Sequence, residues 1–80
     1  MLKEELDFFI ANQGELVKQY AGKILVIKNK EVIGVYNNVL EAYLEAQKEN
    51  ELGTFMIQPC ENGVEAYTVT ISSQEIFAQL

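Results

Sequence analysis

Residues 23–36 read KILVIKNKEVIGVY, and the first apolar run inside them, Ile24-Leu25-Val26-Ile27, decides what kind of fold the chain can adopt. Four consecutive aliphatic residues are too few for a helix of their own, and they read as a strand whose two faces are both apolar. Asn29-Lys30 interrupts the run, and EVIGVY then repeats the strand character, so residues 23–28 and 31–36 predict a β-hairpin. Gly34 inside the second strand marks a bulge or the close approach of a large side chain.

On the N-terminal side, Leu2, Leu6, Phe9, Ile10, Leu16, Val17 and Tyr20 recur mostly at three- and four-residue spacing, the signature of an amphipathic helix. Asn12-Gln13-Gly14 breaks the stripe, which leaves one bent helix or two short ones. Gly22 supplies the left-handed residue that commonly closes a helix. On the C-terminal side, Asn37-Asn38 is a helix start signal. Leu40, Tyr43, Leu44 and Gln47, flanked by Val39, Ala42 and Ala46, form a wide stripe expected to face inward, with Glu41, Glu45, Lys48 and Glu49 opposite. A second hairpin is expected from TFMIQPC onward, turning at Asn62-Gly63, with Pro59 at a strand end because it lacks a backbone donor. Ser72-x-x-Glu75 has capping-box spacing and predicts a short terminal helix.

Together these elements predict one α+β domain over residues 1–80 in two layers, helix–hairpin–helix–hairpin, with a four-stranded mostly antiparallel sheet. The pleat sorts the second hairpin into two sets. Phe55, Ile57, Tyr67, Val69 and Ile71 form one set; Thr54, Met56, Gln58, Cys60, Ala66, Thr68 and Thr70 form the other, semi-polar set. If both helices cover one face of so small a sheet, the other face is open, and Thr54, Met56, Gln58, Cys60, Thr68 and Thr70 become a candidate interaction face.

The ordered motifs Tyr20-x-Gly22-Lys23, Val32-x-Gly34-x-Tyr36, Glu41-Ala42-Tyr43, Gly53-Thr54-Phe55-x-Ile57-Gln58-x-Cys60 and Tyr67-Thr68-x-Thr70 resemble a family of short bacterial domains of unknown function. The resemblance spans residues 14–71. It implies a small α/β domain and brings no activity with it.

Charge and composition narrow the function classes. Twelve acidic residues against six lysines, with no arginine, give a formal charge of −6, which disfavours nucleic acid as a partner. The apolar run near the N-terminus is too short for a membrane span and follows acidic residues, unlike a secretory signal, and a lone cysteine suits a reducing cytoplasm. Without histidine, Cys60 has no imidazole base to activate it, and Glu61 and Glu65 oppose a thiolate; its expected role is a small apolar side chain at a strand end. Glu41, Glu45 and Glu49 share a helical face that suits solvent as well as it suits a cation. Lys23, Lys28 and Lys30 are expected to guard the strand ends against unwanted pairing.

These features predict a cytoplasmic, non-catalytic protein-interaction or assembly module with no metal or cofactor. Because an 80-residue domain without disulfides has a marginal core, a homodimer through the open face is expected, with another protein as a further possible partner. The competing expectation is a small-molecule binder or cofactor-free enzyme using the same face.

Overall fold

A computed structural model describes residues 3–63 and, for the backbone alone, residues 71–72. Helix α1 spans Lys3–Tyr20, strand β1 Ile24–Lys28, strand β2 Glu31–Tyr36, helix α2 Val39–Ala46, strand β3 Met56–Pro59, and a two-residue strand β4 Ile71–Ser72. The sheet is antiparallel throughout in the order β2-β1-β3-β4. Its three full strands form an open sheet, to which β4 adds a short pairing of Ile71 and Ser72 with Ile57 and Met56.

The arrangement corrects the expected two-layer, helix–hairpin–helix–hairpin fold with a four-stranded sheet. Two findings overturn it: the open sheet has three full strands, with only a two-residue β4 beside them, and the side chains of β1 alternate between two helices. Leu25 and Ile27 pack with Phe9 and Leu16 of α1, whereas Val26 packs with Ala42, Tyr43 and Ala46 of α2. The two helices therefore lie on opposite faces, and the fold is two helices flanking an open antiparallel sheet, three layers in all. Met56 and Cys60 join the α1 side; Phe55 and Ile57 join the α2 side. The helices cannot share a face, because ILVI is apolar on both and would leave half of itself in water. The expected second hairpin is also not a full one: β3 covers only four residues, and its return is described only at residues 71–72. The expected terminal helix after Ser72 lies outside the described residues.

α1 is one continuous helix across Asn12-Gln13-Gly14. Asn12 turns its side chain inward on the helix itself, its Nδ2 donating to Phe8 O at 2.9 Å. The helix closes at Gly22, whose φ of 80° lies in the left-handed region, and Lys23 N donates back to Tyr20 O at 2.9 Å. Asn38 caps α2 as its sequence suggests: its Oδ1 accepts the Glu41 N–H at 2.7 Å, and the Glu41 carboxylate in turn accepts the Asn37 N–H at 3.2 Å.

Both meanings of Gly34 are present. Val26 stands opposite Gly34 but Ile27 stands opposite Val32, so Ile33 is the extra residue of a bulge. A Cβ on Gly34 would come within 2.6 Å of Tyr36 Cε2, so the Tyr36 ring lies over the glycine. The β1–β2 turn places Asn29 and Lys30 at φ 52° and 60°, the pair of left-handed residues that suits a tight hairpin. The buried Glu5 of α1 steadies that turn by accepting the Asn29 N–H at 3.1 Å.

Candidate functional site

Of the candidate face, Met56 and Cys60 lie in the cluster that α1 covers, Gln58 is buried, Thr54 belongs to a turn, and Thr68 and Thr70 lie outside the described residues. Met56, Gln58 and Cys60 are buried, Cys60 completely, within a single chain. The Gln58 amide donates to Pro59 O at 2.9 Å. Thr54 is half-buried and donates both its N–H and its hydroxyl to Glu51 O, which closes a turn ahead of β3. The face expected to be open, and expected to carry a dimer contact, is therefore underneath α1 at Met56 and Cys60, because the α1 stripe needs an apolar floor and Leu25, Ile27 and Met56 provide it.

Cys60 sits at the end of β3 as its surroundings in the sequence predict. Its N–H donates to Lys23 O at 2.8 Å, and its carbonyl accepts the Gly22 N–H at 3.0 Å, which extends the β1–β3 pairing by one residue. Burial pushes the thiol pKa up, and the neighbouring Glu61 carboxylate adds to the rise. Such a thiol is a poor nucleophile. Just past it, Gln13 of α1 donates to Glu61 O at 2.6 Å and to Gly63 O at 3.0 Å, tying the helix to the following turn.

The three lysines of the first hairpin, expected to guard the strand ends, have separate surroundings. Lys23 Nζ donates to Asn37 Oδ1 at 2.7 Å, Lys28 Nζ to Asn50 Oδ1 at 3.0 Å, and Lys30 lines a groove with Glu4, Asp7 and Phe8. That groove holds about 250 Å³ and is open. Its Asp7 carboxylate is already engaged by Lys3 at 2.9 Å, and polar groups converging on an apolar pocket, the usual sign of a small-molecule site, are not what it offers. The acidic row of α2 is likewise committed in part, with Glu41 on the Asn37 N–H and Glu45 paired with Lys48 at 2.9 Å. Among the described residues, no group of three or more metal-ligating side chains comes together, and no helix is long and apolar enough to cross a membrane.

What the sequence pattern did not reveal is the outer face of α2. Leu40 is 59% exposed and Leu44 45% exposed, while Ala42, Tyr43 and Ala46 face the sheet with the half-buried Val39. This corrects the expected inward stripe: Leu40, Leu44 and Gln47 point outward. The apolar arc formed by Val39, Leu40, Ala42, Tyr43, Leu44 and Ala46 is wider than one helix can bury against a sheet. The chain buries the side that carries two alanines, because small residues let the helix backbone approach Val26, Phe55 and Ile57 closely. Two alanines four residues apart between larger apolar residues were the available signal. Compared with protein-family models, curated proteins and solved structures, the chain matches none.

Proposed function

We propose that the chain is a non-catalytic protein-interaction module that binds through the outer face of α2. The supporting observation is the pair Leu40 and Leu44, large apolar side chains one helical turn apart and left largely in water by a helix that had the option of burying them. Single exposed leucines are ordinary, but a pair at this spacing forms the ridge that helical partners pack against. Among the described residues, the one thiol is buried with a raised pKa, and Met56 and Cys60 of the face on which a small-molecule site was expected lie under α1.

Photo-crosslinking tests the proposal. A photoreactive phenylalanine analogue replaces Leu40 or Leu44 in cells producing the protein, and Lys18, exposed on α1, is the control position. A discrete adduct from both leucine positions, identified by mass spectrometry and lost when the other leucine is changed to glutamate, is expected. Adducts no different from those at Lys18 would overturn the proposal.

A further inference from the structure

We infer that the Leu40–Leu44 ridge receives a cationic amphipathic helix of another protein. This rests on the interaction-module proposal and adds the chemistry of the partner. Between residues 39 and 51 the chain carries four glutamates and a single lysine. Lys48 neutralises Glu45, but Glu41, Glu49 and Glu51 have no cationic partner among the described residues. Two further lysines reach the segment without pairing a carboxylate: Lys23 is held by Asn37 just before the helix, and Lys28 by Asn50 beyond its end. The ridge is thus an apolar strip on a segment of net negative charge, with Glu41 and Glu45 on the helix itself and Glu49 and Glu51 just beyond it. A partner that buries the strip must bring apolar residues for the leucines and ammonium or guanidinium groups for the glutamates.

The same charges argue against the other occupants. A second copy packed ridge on ridge about a twofold axis would bring two acidic helices together in chains that each carry −6. Nucleic acid and anionic lipid are repelled on the same ground. A helix fits better than an extended strand because the exposed ridge lies on a helix, whose side-chain rows pack between those of another helix.

The test uses the full chain and a designed amphipathic peptide of about twenty residues, with leucine on one face and lysine on the other, a length that gives several helical turns. Backbone amide shifts, followed by NMR during titration, are expected to move along the outer rows of α2. Leu40→Ala/Leu44→Ala together should weaken the peptide by about tenfold or more, as truncation of a central apolar anchor does. The same peptide with glutamate in place of lysine should bind at least about tenfold more weakly, and added salt should weaken the lysine peptide. Binding unaffected by the leucine changes, or shifts centred away from α2, would overturn the inference, as would equal binding of the two peptides. Crosslinks from Leu40 and Leu44 to another protein, combined with no preference for lysine, would retain the interaction module and overturn only the cationic partner. Ridge-specific adducts formed only with a second copy would do the same, and loss of both signals would overturn both.

Discussion

Cys60 reports directly on what covers the sheet. It is 0% exposed and packs beside Phe9, which is also 0% exposed. The cover belongs to the same chain, so thiol labelling should be slow, limited by opening of the fold, and independent of protein concentration. Phe9→Ala removes the largest fully buried side chain of α1. Phe→Ala in a core costs about 3–5 kcal/mol, and each 1.4 kcal/mol is tenfold, so the labelling rate should rise by about two to four powers of ten. A domain of this size has total stability of about 4–12 kcal/mol, so at the low end the variant would be unfolded and label at the rate of a free thiol. Ile10→Ala, one residue along at 41% exposure, should change the rate by less than about threefold. The assay is reaction with an aromatic disulfide under native conditions over a range of protein concentrations, beside urea melts of the same variants. Fast labelling of the wild-type chain would refute the reasoning. So would protection that grows with protein concentration, which would make the cover a second copy, or equal effects of the Phe9 and Ile10 changes.

Three further outcomes are expected. Gly34→Ala should destabilise by about 1–3 kcal/mol in urea melts, because its Cβ meets the Tyr36 ring at 2.6 Å, and the penalty should shrink below about 1 in a Tyr36→Val background. On α2, Leu44→Ala should cost under about 1 kcal/mol, Tyr43→Ala about 3–5 and Asn38→Ala about 0.5–2; a Leu44 loss as large as that of Tyr43 would mean the helix is rotated about its axis. Because the folded state raises the Cys60 pKa, the associated stability is complete below the ordinary thiol value of 9.0 and is lost as pH rises through the folded value. Urea midpoints of the wild type should therefore fall above about pH 9 more steeply than those of Cys60→Ala.

The local elements were legible from the residues themselves. Asn38 as a cap, Gly22 as a left-handed stop, the Asn29-Lys30 turn and the double meaning of Gly34 follow from backbone rules that act within a few residues. The layering needed a longer-range argument. ILVI is apolar on both faces, which already demands a cover on each side, but expecting both helices on one face set that demand aside. Once α1 and α2 take opposite faces, Met56 and Cys60 cease to be a surface and become the floor beneath α1. The ridge of α2 was hidden for a different reason. Hydrophobicity alone ranks Leu40 and Leu44 above Ala42 and Ala46 as core residues, whereas close packing against Phe55 and Ile57 favours the alanines.

The two polar ties of α1 bear on how the chain tolerates lengthening. The Asn29-Lys30 tip and the Glu61–Gly63 segment are exposed and polar, which ordinarily makes such places the first choice for grafting an epitope, a fluorophore tag or a new terminus. Here each is fastened to the same helix, the first through the Glu5 carboxylate and the second through the Gln13 amide. Added residues at either place would move a backbone group that α1 holds, and the disturbance would reach Phe9, which lies between Glu5 and Gln13 on the helix. For engineering purposes both tips belong to the interior in every sense except exposure.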